Sequence, residues 1–352
     1  MRYERKIDFR YDLMDNQERI LDSLKATGSI SFNSQSDVMG TGSFQIREEK
    51  LQQYAQFYVD MRIRPQILIW DEDGNVSEKY LGIYIMTSPI RSGNNNTVVW
   101  NVDCYDKGII LKEDKLQDRL YIPAGSNYVA QVKNVLLSAG INKFSIESSS
   151  LTNSADIEFE IGTSKLDVIN DLLYAINFYP IHFDGNGFAE TSRYIEPMQR
   201  SVQLSYMTDH KSIILEGAQQ SNDLYNVPNV VVRYVDNPDA DPLRSVYINN
   251  NPDSIISTVR RGRNIVDVES VDDIADQDTL DSYTKRIAIE KSQACDSVML
   301  RTGLTTGHGF RNCIFVRDDE LEISTKYIEY SWNMDLEVGG SMTHHLKRVL
   351  QI

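Results

Sequence analysis

Short runs of alternating polar and apolar residues, cut off by turn residues, restrict the fold of this chain more than any other feature. Thr97 to Cys104 reads TVVWNVDC, and Ser29-Ile30-Ser31-Phe32 and Gly42-Ser43-Phe44-Gln45-Ile46 alternate in the same way. Successive strand side chains point to opposite faces, so each run can line a core with one face and meet water with the other. Arg64 to Trp70 and Tyr80 to Met86 are denser apolar runs. Between them Asp71-Glu72-Asp73-Gly74-Asn75 supplies a hairpin turn, because Gly and Asn take up positive φ cheaply. A second turn is expected at Gly93-Asn94-Asn95-Asn96. Strands this short and this regularly spaced predict a small barrel or sandwich over residues 1–105.

The pattern changes after residue 105. Val129, Val132, Leu136 and Ala139 recur at helical spacing, with Ser126 as the expected cap and Gly140 where the chain should leave the helix. Ser164 is expected to cap a second helix that carries Leu166, Ile169, Leu172, Leu173 and Ile176 on one face. Pro180 follows, and then Ile181-His182-Phe183 and Gly187-Phe188-Ala189 flank an Asp184-Gly185-Asn186-Gly187 turn. Strand character returns at Val227 to Val235, and Pro238, Pro242 and Pro252 mark a loop-rich excursion. Asp278 is expected to open a helix with Leu280, Tyr283, Ile287 and Ala288, ending near Cys295. Ser297 to Leu304, Leu321 to Trp332 and Met342 to Val349 read as closing strands. The fold class that follows is mainly β with α+β insertions: two barrel-like β domains related by pseudo-symmetry, plus inserted small α+β domains. The expected divisions are 1–105 for the first barrel-like domain and 106–200 for an α+β insert. Residues 201–245 with 296–352 form the second barrel-like domain, and 246–295 a loop-plus-helix insertion.

Composition narrows the function. The formal charge is −15, from 36 basic and 51 acidic residues, which opposes binding to phosphate backbones or anionic lipid, both driven by Lys and Arg. Cys104, Cys295 and Cys313 are widely spaced and form no CxxC pair. They read as reduced, partly buried thiols, neither a disulfide framework nor a zinc site. No apolar signal core or membrane-length run is present, so a soluble product without a membrane anchor is expected.

Chemistry-bearing motifs are missing or incomplete. Asp71, Asp73 and Asn75 imitate the start of a calcium loop, but its sixth and twelfth positions hold Val76 and Gly82, so the hairpin turn explains them. His182, His210, His308, His344 and His345 form no HExxH, and adjacent His344 and His345 on a strand would point to opposite faces. Thr302 to Gly309 is Gly-rich without the Lys of a phosphate loop and reads as a plain loop. Neither catalytic residues, nor cofactor, nor metal ligands are expected. Arg260, Arg261 and Arg263 are the one dense basic cluster, either a solvated loop or an intersubunit contact to a neighbour's carboxylates.

Three stretches, in this order, resemble the tail-hub family of long-tailed bacteriophages, which includes baseplate hubs and the N-terminal hub part of tail-associated lysins. The first runs from Arg62-Ile63-Arg64-Pro65 through Leu81-Gly82-Ile83-Tyr84-Ile85 and Ser88-Pro89 to Asp103-Cys104-Tyr105-Asp106. The second is Leu166 to Asp184 with its DGNG turn. The third joins Val227 to Val232, Asn251-Pro252, the Arg cluster, the 276–292 helix, Tyr330-Ser331-Trp332 and Met342-Thr343-His344. The resemblance implies a homotrimer whose six barrels form a ring adapting a sixfold tube to a threefold tip. DNA would pass through its channel without specific binding; three copies carry 3 × −15 = −45 charges. The implied partners are a distal tail protein ring or tail tube, a tape-measure protein, and tip or fibre proteins. The implied location is the virion tail tip or baseplate, after synthesis in the host cytoplasm. Lysin-bearing members continue into a peptidase or muramidase domain. Here the last expected strand ends near Ile352, so a non-enzymatic subunit is expected. The competing readings are a receptor- or cell-wall-carbohydrate-binding tail protein, suggested by the Tyr-rich β character, and a carboxylate hydrolase.

Overall fold

The computed structural model describes residues 6–47, 61–70, 73–94, 97–235, 243–271 and 273–352. Asp71, Glu72, Asn95, Asn96, Pro238 and Pro242, all in expected turns or loops, lie outside them.

The first β unit contains β1 (Lys6–Met14), β2 (Ile20–Leu24), β3 (Ala26–Asn33), β4 (Gly40–Arg47), β5 (Arg62–Trp70), β6 (Val76–Tyr80), β7 (Tyr84–Met86), β8 (Ile90–Asn94) and β9 (Thr97–Tyr105). Antiparallel pairing runs β2-β1-β5-β7-β9-β4-β3. Only Lys25 separates β2 from β3. This bent stretch pairs with β1 by its first half and with β4 by its second, which closes the ring into a barrel. The alternation seen in the sequence now has a cause: Leu13, Ile30, Phe44, Ile46, Ile63, Ile67 and Val102 all point into the enclosed core. Gly74, at φ +81°, makes the β5–β6 turn.

An α+β unit follows, with α1 (Gly108–Glu113), β10 (Leu120–Ile122), α2 (Tyr128–Ser138), β11 (Phe144–Ile146), β12 (Ile157–Phe159), α3 (Lys165–Tyr174), β13 (His182–Phe183) and β14 (Ala189–Thr191). Its own core joins Val132 and Leu136 of α2 to Leu166, Ile169, Leu172 and Leu173 of α3. Ser164 caps α3 by accepting from the Asp167 N–H. The cap of α2 is Asn127, one residue later than expected, because the Ser126 hydroxyl donates to Pro123 O instead. Gly140 leaves α2 at φ +76°.

The chain then forms β15 (Leu204–Met207) and β16 (Gln219–Asn222), and next β17 (Val230–Val235), β18 (Arg244–Ile248), α4 (Thr258–Arg261), β19 (Val266–Val271) and α5 (Gln277–Ser292). The strand at Val230–Val235 is where the sequence expects one. It does not enter the second barrel, however; it is the middle of a separate sheet ordered β18-β17-β19, with α5 packed on β17 and β18. A strand signal is local, whereas the choice of partner is not. Asp276, not Asp278, caps α5, accepting from the Thr279 N–H.

The second barrel uses β15, β16, β20 (Asp296–Gly303), β21 (Cys313–Asp318), β22 (Ile323–Asp335) and β23 (Ser341–Arg348). Pairing runs β15-β21-β22-β23-β20-β16. The segment 204–222 thus lies on β21 at its start and on β20 at its end, repeating the bent-strand closure of the first barrel. Tyr206, Val298, Leu300, Ile314, Val316, Tyr327 and Leu346 fill the interior. The long strand β22 gives its first half to β21, and Ser331–Asp335 pair with β3. Both barrels therefore share one continuous 15-stranded sheet.

Candidate functional site

The Gly-rich loop between β20 and β21, which reads as uninformative in sequence, is where the parts of the molecule meet. Leu304 at its start is buried in the first barrel's core. The Phe310 ring stacks on His182 of the α+β unit at 4.0 Å and lies edge-on to Tyr179 and to Phe32 of β3. Phe32 in turn stacks on Trp332, its partner across the β3–β22 seam. Arg311 reaches α5, donating to Glu290 at 2.6 Å and to the Tyr330 hydroxyl at 2.7 Å. Glu290 also accepts from Arg286, which donates to Phe178 O at 2.8 Å. Burial pushes the Glu290 carboxyl up, but the two guanidiniums outweigh it and hold it at about 2.

His308 anchors the same loop to the second barrel. With Glu329 ionised, the carboxylate accepts from Nδ1 of His308 and of His344, each at 2.7 Å. The Nε2 atoms then lie within hydrogen-bond distance of the hydroxyls of Tyr206, at 2.7 Å, and Thr302, at 2.8 Å. Burial pushes His308 down to about 3, lowers His344 and raises Glu329. Among the described residues, His308, Glu329 and His344 form the one group whose ligand atoms lie within 4.8 Å of one another, as a cation would require. Because every ring nitrogen has a partner, the cluster is complete as a hydrogen-bonded lock. Chain spacing hides it: the residues sit at 308, 329 and 344 on three elements. His345 is exposed on the opposite face of β23, as the alternation requires.

The DGNG turn docks the α+β unit on the first barrel. The Asp184 carboxylate accepts from the N–H groups of Asn186 and Phe188, and the Gly82 N–H donates to Gly185 O at 3.1 Å. A Cβ on Gly185 would lie 2.3 Å from Tyr80 O, so only Gly permits this approach. Beside it, the Lys107 ammonium is buried, donating to Gly187 O at 2.9 Å and pairing with Glu18 at 2.6 Å. Asp106 accepts from Gly40 and Gly108 N–H groups, and burial, partly offset by them, raises it to about 6. A cavity of about 280 Å³ lies between this turn, Tyr80–Tyr84 and the 306–310 loop, at the lower end of what a small-molecule site needs.

Of the basic cluster, Arg260 and Arg263 are exposed. Arg261 turns inward and donates to carbonyls of Leu224, Tyr225 and Val227. The three cysteines are free and buried. Burial lifts all three thiols, Cys295 to about 11, so none is a ready nucleophile at neutral pH. Among the described residues no helix is long and apolar enough to cross a membrane.

The sequence matches no protein-family model and no curated protein. Solved structures do match. A tail protein from Neisseria meningitidis superposes with a TM-score of 0.68 at 12% identity, over 97% of this chain and 97% of that one. The 43 kDa tail protein of prophage MuSo2 from Shewanella oneidensis gives 0.65 at 10% identity, over 97% and 98%. This chain has the phage tail-protein fold. An E. coli component of the type VI secretion system, described as similar to T4 bacteriophage tail proteins gp27 and gp5, gives 0.52 at 6% identity, over 100% of this chain and 76% of that one. The likeness to tail and hub-like proteins agrees with the family that the ordered motifs resemble, and the mainly β, two-barrel expectation holds. Within the tail-protein fold, the DGNG turn and the Arg311–Glu290 pair are what this chain uses to join its parts.

Proposed function

We propose that the chain is a non-enzymatic structural subunit of a phage or prophage tail, a hub at the tail tip or baseplate that assembles as a homotrimer. The observation that carries this reading is the pair of similarly closed barrels welded edge to edge through β3 and β22. A rigid double barrel contributes two near-equivalent units per copy, so three copies supply six around a ring and still present threefold symmetry to a tip. The −15 charge per copy lets a polyanion slide through such a ring without being held. The junction loop and the Glu290 pairs fix the angle between parts, which a ring subunit needs and a hinged enzyme does not. Partners in this reading are a distal ring or tube above, a tape-measure protein within, and tip or fibre proteins below. Light scattering at rising concentration and end-on electron microscopy test it: three copies in a ring with a central opening are expected. A particle that stays single at all concentrations refutes it, and binding of cell-wall glycan fragments by that single particle would favour the carbohydrate-binding alternative.

A further inference from the structure

The sheet β18-β17-β19 has two faces of opposite fate. One, with Val231 and Arg233 of β17 and Asp267 of β19, lies under α5: Arg233 is fully buried and pairs with Asp267 and Glu269, and Lys291 of α5 pairs with Asp267. The register sets the other face. Val230 stands between Ile248 and Val266, and Val232 between Val246 and Val268. The central pair is enclosed by its neighbours, but Val246, Ile248, Val266 and Val268 are 42%, 51%, 53% and 56% exposed. Six β-branched side chains in cross-strand register, with no layer over them among the described residues, make a contiguous apolar surface that a solitary soluble protein rarely leaves open. At the end of the sheet where Ile248 and Val266 lie, the β18–β19 connection carries exposed Ile255, Val259, Arg260 and Arg263.

We propose that this face is a subunit contact, covered by a different, acidic surface of a second copy of the chain. The inference rests on the homotrimer reading above and gives it an address. The occupant follows from charge. Removing Arg260, Arg261 and Arg263 leaves −15 − 3 = −18 on the rest of the chain, so an apolar face with a basic rim finds its complement on another copy. A closed ring of three requires unlike surfaces to meet, which matches an apolar face rimmed by Arg260 and Arg263 set against the acidic remainder of another copy. Arg261 is committed to carbonyls within the chain, which leaves Arg260 and Arg263 for the neighbour.

The test uses full-length protein. Val268→Glu and Ile248→Glu alter side chains already half exposed, so each variant keeps its fold, checked by circular dichroism and tryptophan fluorescence. Sedimentation or light scattering should show self-association weakened by ~30-fold or more, as for the centre of an interface. Arg260→Gln/Arg263→Gln should weaken it less and reduce its salt dependence. Variants that still form trimers at the wild-type concentration refute the face and leave the hub reading standing. A wild-type chain that never associates refutes both.

Discussion

Replacing Glu290 by Gln tests whether the junction is held by charge. Glu290 sits between two guanidiniums, and its folded pKa of about 2 lies below the ordinary 4.5. A difference of 2.5 units corresponds to about 3 kcal/mol at neutral pH. Its side chain is 23% exposed, so water relieves some of the loss, and roughly 2–3 kcal/mol is expected. The sign follows from the direction of the shift. A carboxyl held below its unfolded value stabilises the fold above pH 4.5, and that stabilisation is lost as the pH falls towards 2. Urea unfolding followed by tryptophan fluorescence should therefore show a full gap between wild type and variant at pH 7, closing below pH 3. A double variant with Arg311→Met should cost less than the two single changes added together, because Arg311 and Glu290 share one interaction. Equal stability at pH 7, a gap that persists in acid, or simple additivity would refute the electrostatic account.

Other substitutions probe the remaining contacts. Gly185→Ala puts a Cβ against the Tyr80 carbonyl, which cannot yield, and should cost about 2–3 kcal/mol, seen as a lower Tm and faster proteolysis at the turn. Phe310→Ala removes the ring shared by both barrels and the α+β unit. It should cost up to about 3 kcal/mol in chemical unfolding. Burial holds His182 at about 4, so stability should fall as the pH drops from 6.5 towards 4; His182→Phe keeps the stack on Phe310 and should flatten that slope in a pH series of melting curves.

Alternation and capping were readable wherever the physics is local. Thr97–Cys104, Ser164 and Gly140 behave as their neighbours in the chain dictate, and the caps at Asn127 and Asp276 differ by one or two residues from the expected ones, Ser126 being displaced because its hydroxyl turns back to the Pro123 carbonyl. The junction was not readable. Phe310 in a Gly-rich loop carries no periodicity, and His308, Glu329 and His344 acquire a joint meaning only when β22 and β23 pair and the loop folds over them. The basic cluster was visible as composition, but its division into an inward Arg261 and outward Arg260 and Arg263 needed the path of the loop at Leu224.

The sequence alone determined the class: short amphipathic strands at both ends, two helical insertions, buried thiols and an acidic surface. These follow from side-chain period, turn chemistry and charge, which a residue carries regardless of its distant neighbours. The tertiary structure decided which strand sits beside which. It sent Val230–Val235 out of the second barrel, joined the barrels through β3 and β22, and left Val246, Ile248, Val266 and Val268 exposed on one sheet face. Pairing depends on residues hundreds of positions apart finding a common register, and no local pattern records that choice.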